Sequence, residues 1–345
     1  MRRTRRWALG LGLTGIGALG AFGARRVFAA PRGDDVPTTV AISGTPIPFL
    51  SRKEPERQDF GSLRYRSGLV LSSDYSGFGG LSGLWRSPDG RRMLAVSDNA
   101  QWLSAEITTR DGRLAGVTNA TMSPVIGANG RPLRQGRGYD TESLAVDDGL
   151  AYVGIERVNE VLRFDIARDG TAARGIPVPV PAEVKSLANN DGLEAMAVAP
   201  AGHPLAGSLV AIAEDLRNGD DGPTRGWVLT GSRRFSFDVV RSEGFDVTDL
   251  AFLPTGEALL LERRYRVLSG VACRIRRLPV GAFRPDVPVD GPVVFEAAGG
   301  EEIDNMEGIA IHADPATGGT VVTLVSDDNF NALQRTLLLE FALLA

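Results

Sequence analysis

Carboxylates recur in this chain at the ends of short apolar runs. "DTESLAV", "DGLEAMAV", "DVTDLAF" and "DNMEGIAI" place Glu142, Glu194, Asp249 and Glu307 at the start of one run. "YVGIERV", "LVAIAEDL", "ALLLERRY" and "LVSDDNF" then close the next run with Glu156, Glu214 and Asp215, Glu262, and Asp327 and Asp328. A first, less strict copy, "GGLSGLW…LAVSDN", has Ser82 and Asp98 at the same places. Acids gathered in a partly buried site repel one another, so some stay protonated unless cations intervene. Carboxylate and amide oxygens are hard donors that suit Ca²⁺, which takes about six to eight of them in flexible geometry. Glu142, Glu194, Asp249 and Glu307 are therefore the candidate metal ligands. Glu156, Glu214, Glu262 and Asp327 share in coordination or act as general base, and Asn99, Asn189, Asn190, Asn305 and Asn329 sit close enough in sequence to add neutral oxygens.

Cations stand near these acids too. Arg157, Arg263 and Arg264 directly follow the second set, and Arg137 and Lys185 lie in loops that lead into the first. Metal and guanidinium together suit an anionic substrate, above all a phosphate ester, because both offset charge on phosphoryl oxygens. Arg137, Arg157, Lys185 and Arg263 are the candidate substrate-binding residues. With no metal, the same Arg and Lys residues would neutralise the acids and brace the scaffold.

The elements that must position these groups follow from their spacing. Ser82, Glu142, Glu194, Asp249 and Glu307 are separated by 60, 52, 55 and 58 residues, the size of a propeller blade with four short strands. The unit from Glu142 reads as strand "ESLAV", turn "DDG", strands "LAYVGIER" and "EVLRFDI", turn "RDG", then "GIPVPV". No window keeps apolar residues at helical spacing for three turns without Gly or Pro. The expected fold is an all-β propeller of five blades, with six open if residues 37–60 hide further strands. Two stacked β-sandwiches are the alternative, but a sandwich does not need the same acidic position in every unit. Closure is expected from both chain ends: "RTLLLEFALL" supplies a third strand to the last unit, and "SLRYRSGLVLSSD" supplies the fourth. The first strand of each blade lines the channel and the second returns beside it, so both sets of acids face one mouth.

Composition narrows the class. The 345 residues are 43 % hydrophobic with a formal net charge of −4, enough apolar material for a large core and too acidic for a nucleic-acid surface. One cysteine, Cys273, forms no internal disulfide, and two histidines, His203 and His312, are too few for an ordinary zinc site. "GGLSGL" lacks the spacing of a G-x-S-x-G nucleophile elbow. Both histidines read as structural or surface residues. Trp85, Trp102 and Trp227 are expected between blades, with Trp102 able to border the mouth. The loop 215–222, "DLRNGDDG", reads as a solvated loop on the acidic face.

The N-terminus reads as an export signal: basic "RRTRR", apolar "WALGLGLTGIGALGAFG", and small residues at Ala29 and Ala30 for cleavage. Paired Arg5 and Arg6 resemble a twin-arginine signal. The expected organisation is a signal at 1–30, an extension at 31–59 and the propeller at 60–345. The mature protein is expected in the periplasm or secreted, without membrane attachment and as a monomer. An uncleaved anchor is the alternative.

"FGGLSGL…LAVSDN", "DGLEAMA", "ALLLERRY" and "LVSDDNFNALQRTLLLEFAL" resemble the phytase-like family described as having esterase-like activity of phytase. The resemblance spans roughly residue 60 to the end and is most specific from Asp304 to Leu338. It implies a β-propeller, an exported location and an esterase or phosphoesterase activity. "SDNAQW" stands where a pattern nearer "SDRG" is expected. The competing function is a non-catalytic propeller that binds an envelope partner through a scaffold of ion pairs.

Overall fold

The structure is a computed structural model, and it describes residues 33–136, 139–187, 192–214 and 222–344. Strands β1 (Thr38–Thr39), β2 (Ser43–Ile47), β3 (Asp59–Phe60) and β4 (Leu63–Ser72) come first. Four meanders follow. They are β5 (Leu81–Arg86), β6 (Arg92–Ser97), β7 (Gln101–Arg110) and β8 (Arg113–Pro124); then β9 (Thr141–Asp147), β10 (Leu150–Ile155), β11 (Glu160–Asp165) and β12 (Ile176–Val178). The third is β13 (Leu193–Val198), β14 (Leu209–Ala213), β15 (Thr224–Val228) and β16 (Phe235–Val239), and the fourth β17 (Asp246–Phe252), β18 (Ala258–Arg266), β19 (Gly270–Leu278) and β20 (Val293–Ala297). The chain ends with β21 (Asn305–Ala313), β22 (Thr320–Asp327) and β23 (Thr336–Leu343).

Each meander is one antiparallel sheet, and the last three strands complete a fifth sheet by pairing β23 with β4. Leu339 lies opposite Gly68 and Thr336 opposite Leu71, so the segment read as "SLRYRSGLVLSSD" closes the ring and leaves no blade edge between first and last sheets. The strands hidden in residues 38–60 build no sixth blade. They extend blade five through β2 and β3 and blade one through β1. The first strands of successive blades pack side by side in the order β5, β9, β13, β17, β21 and back to β5. A five-bladed β-propeller results.

Alternation along each strand sends apolar side chains to both faces, so every sheet packs on two neighbours and the core splits into five clusters, one per interface. Trp102 is fully buried in the cluster between blades one and two, edge-on to Phe164 at 5.3 Å, and does not border the mouth. Trp227 fills the interface of blades two and three. Cys273 is buried between blades four and five. Two close approaches require glycine: a Cβ on Gly83 would sit 2.7 Å from Leu144 Cβ, and one on Gly308 2.9 Å from Leu84 Cβ. No helix among the described residues is long and apolar enough to cross a membrane. The expected export signal lies outside the described residues.

Candidate functional site

A one-residue bulge near the start of every inner strand builds the site. The register skips Ser82 in blade one, Glu142 in blade two, Glu194 in blade three, Thr248 in blade four and Glu307 in blade five. A bulge leaves one residue unpaired and re-aims its side chain. The repeat seen in the sequence is therefore real, with one displacement. Blade four contributes Thr248, so the last two intervals are 54 and 59 residues, and Asp249 falls one position later.

That later position faces the next blade. It holds Gly83 and Gly308 at the close approaches above, Ser143, whose hydroxyl donates to Leu193 O at 2.5 Å, and Asp249. Asp249 accepts Leu250 N–H and, across the interface, Ile309 N–H, both at 2.8 Å. Burial raises its carboxyl above the ordinary value, against those two N–H bonds. Asp249 ties blade four to blade five, and Thr248 adds a hydroxyl bond to Met306 O at 3.1 Å. Among the ring positions, blades two, three and five supply the carboxylates.

The remaining acids take three different surroundings. In blade two, Glu142 and Glu156 are buried with Asp140, and one carboxylate oxygen of each lies within 4.8 Å of the others. Asp140 is held by backbone bonds on both sides: its N–H donates to Asp98 O at 2.7 Å and its carbonyl accepts Glu156 N–H at 2.9 Å. Its left-handed backbone, φ 81°, is tolerated by Asp better than by most residues. Arg157 donates to Asp140 Oδ2 at 3.1 Å while its guanidinium stacks 3.6 Å over the Tyr139 ring. Glu194, next round the ring, has its carboxyl pushed well up by burial and then by the charges of Glu142, Glu214, Glu156 and Glu307.

Between blades three and five the ring carries its own cation. Arg263 donates to Glu214 Oε1 at 2.8 Å and lies 3.4 Å from Glu307 Oε1, which also accepts Asn305 Nδ2 at 2.6 Å. Asp327 is fully buried and accepts Asn329 N–H at 2.6 Å. Asp328 holds the entry to blade one, accepting Gly80 N–H at 3.0 Å. In blade one, the Ser82 hydroxyl donates to Asp98.

Blade four differs again. Glu262, fully buried, is clasped by Arg274 at 2.7 Å and Arg276 at 2.8 Å, and Arg276 continues to Asp290 at 2.7 Å. The outer acid of this blade thus anchors an ion network within its own sheet. Lys185 is exposed at the end of the short helix α1 (Ala182–Lys185). Arg137, Asn189, Asn190 and Asp215, with most of the 215–222 loop, lie outside the described residues. His312 is buried beside Thr323 and is driven down to about 3 by burial and then by Arg86 and Arg66. His203 packs against Phe252 and Phe283. Both histidines belong to interfaces.

Asp140 and Tyr139 were not among the sequence candidates. The signal existed: blades two and five place an Asp or Asn two residues before the ring glutamate, Asp140 before Glu142 and Asn305 before Glu307.

Fold and site together define a β-propeller whose channel mouth is lined by buried carboxylates with guanidinium groups between them. The chain belongs to the Phytase-like family, described as "Esterase-like activity of phytase", whose model matches residues 76–330. No curated protein matches the sequence. Among solved structures, the PQQ-bound aldose sugar dehydrogenase from Streptomyces coelicolor is similar at 13 % identity and TM-score 0.40, covering 80 % of this chain and 97 % of that one. A chain of the nidogen/laminin complex is similar at 8 % identity and TM-score 0.37, covering 76 % and 87 %. Nothing about ligands or chemistry follows from likenesses this distant.

Proposed function

We propose that this protein is a calcium-dependent hydrolase of phosphate esters or related anionic esters, acting in the periplasm or outside the cell. One observation carries the reading: Asp140, Glu142 and Glu156 converge in a buried, all-oxygen cluster with Arg157 beside it. The donor set fits calcium, which prefers carboxylate oxygens and tolerates irregular geometry. These three residues would hold the ion, which when bound would offset negative charge on a substrate oxygen. Arg157, fixed by Tyr139 and Asp140, is the anion-binding residue on this side, and Arg263 is its counterpart across the ring. Burial, and then the neighbouring acids, raise the Glu194 carboxyl well above its ordinary value, which makes it the candidate proton donor. Glu214, whose side chain is 20 % exposed, is the candidate general base.

A second reading, a non-catalytic propeller that binds an envelope partner, is favoured by Arg263 on Glu214 and Glu307 and by the two arginines on Glu262. Calcium titrated against thermal unfolding separates the two, since a ligand of the folded state alone stabilises by about 2.7 kcal/mol at a hundredfold excess over Kd. Glu142→Gln and Glu156→Gln are expected to abolish that stabilisation and any chelator-sensitive turnover of phosphate mono- and diesters or simple carboxylic esters. Stabilisation that survives both substitutions would falsify the blade-two site. No calcium effect and no turnover in the unaltered protein would leave the binding propeller.

A further inference from the structure

Asp140 and Tyr139 end a connection that crosses the mouth face from β8 to β9, and residues 33–38 are fastened to that connection and its surroundings. Asp35 accepts Arg134 Nε at 2.5 Å on one oxygen and Gln135 Nε2 at 2.8 Å on the other, while Arg134 also donates to Gly33 O. Asp34 is pinned beside them: its N–H donates to Tyr75 Oη at 2.7 Å, and its carbonyl accepts from the buried Gln101 at 3.1 Å. Three residues beyond Asp35, β1 pairs Thr38 with Met122 and Thr39 with Thr121. The strap therefore has a fixed end in the blade-one sheet and a grip on residues 134 and 135. The Arg134 and Gln135 bonds hold the Asp35 carboxyl below its ordinary value, with the Gln135 bond the larger cause.

We propose that Asp35 is a positioning residue for the blade-two site: by gripping Arg134 and Gln135 it fixes the connection whose far end places Tyr139 under Arg157 and Asp140 beside Glu142 and Glu156. The inference rests on the calcium reading of that cluster for its functional consequence, though the grip itself does not. Among its described residues the connection carries bonds of its own, Leu133 N–H to Val125 O and Gly136 N–H to Leu133 O, both at 2.9 Å. Two side-chain bonds to a strap anchored in a sheet limit its excursions, and a binding constellation works best when its groups are held within about 0.5 Å of the productive geometry.

The experiment compares the full chain with Asp35→Ala, Arg134→Ala, the double variant and Asp59→Ala, which removes an exposed Arg64 pair on blade five as a control. Hydrogen exchange over residues 125–142 and calcium affinity by titration calorimetry are both read. Asp35→Ala and Arg134→Ala are each expected to speed exchange in that stretch alone and to weaken calcium about three- to fivefold, the double variant exceeding either single one by less than their sum, because Asp35 also holds Gln135 and Arg134 also holds Gly33 O. Asp59→Ala changes neither reading. Unchanged exchange in Asp35→Ala overturns the grip. Faster exchange with unchanged calcium affinity overturns its link to the site. If the unaltered protein takes up no calcium, the functional reading fails while the exchange result still decides the grip.

Discussion

Blades two and four carry glutamates at the same repeat position, the end of the second strand, and put them to opposite uses. Among the described residues, Glu156 joins Asp140 and Glu142 in a cluster that Arg157 touches from the side. Glu262 is enclosed by two arginines from the neighbouring strand, Arg274 and Arg276, which alternate at i and i+2 on one face of β19. The inner positions diverge in step: blade two offers Glu142, and blade four offers Thr248, bonded to the next blade. A repeat can thus keep its backbone, bulge included, while its polar residues gather into either a cluster of carboxylates or a closed ion network. Sequence position fixes where a carboxylate begins, and the residues across the sheet decide what it can do.

The sharpest way to break this comparison is to delete each glutamate. Glu262→Ala strands two buried guanidinium groups and is expected to cost about 3–5 kcal/mol of folding stability, read by denaturant unfolding, with or without calcium. Glu142→Ala removes one of several crowded acids and is expected to leave calcium-free stability unchanged or raised, losing only the calcium increment. Equal losses at both sites would mean that the blade-two cluster is as closed as the blade-four network.

A smaller effect tests the register of blade four. Asp249→Asn keeps one acceptor oxygen but turns an amide donor toward either Leu250 N–H or Ile309 N–H. A loss of about 1–3 kcal/mol is expected in thermal or denaturant unfolding, with calcium affinity unaltered. Loss of calcium binding instead would restore Asp249 to the metal ring.

Much of the architecture was legible because it rests on period and pattern. Five apolar units with turn residues between them gave the blade count, and the unbroken apolar run of β4 gave the closing strand. The short strands at 38–39 and 43–47 were not legible as blade edges, since "SGTPIP" is polar, broken by proline and pairs only through β4. The misplacement of Asp249 has a plain cause. "VTD" sets two polar residues side by side, and a strand's side chains alternate, so a slip of one residue moves the acid from the mouth to the interface without disturbing the apolar pattern. Asp140 was hidden differently: it precedes the strand, where no periodicity speaks for it. The arginine clasp on Glu262 could have been read from "CRIRR", whose alternating arginines must share a face, had the cross-strand register been known.

The mildest probe of the comparison is pH. Glu194 and Asp249 have carboxyls raised above the ordinary value by burial, and in Glu194 the neighbouring acids add to it. The folded protein therefore retains protons that the unfolded chain releases above about 4.5, the ordinary value for Glu. Where the native state binds more protons than the unfolded one, stability falls as pH rises. Calcium-free protein should accordingly show a melting temperature that declines as pH rises above about 4.5, a slope rather than a collapse. Glu302 works the other way: Arg52, and after it Arg335, bring it down to about 2 against the effect of burial, so its contribution is lost as pH falls from about 4.5 through that value and leaves the neutral range untouched. Glu194→Gln should flatten part of the decline by removing the most crowded acid, and Asp249→Asn part of the remainder. A decline that Glu194→Gln leaves intact but Asp249→Asn abolishes would locate the pH dependence in the inter-blade tie, and the acids of the mouth would then be balanced already by the arginines around them.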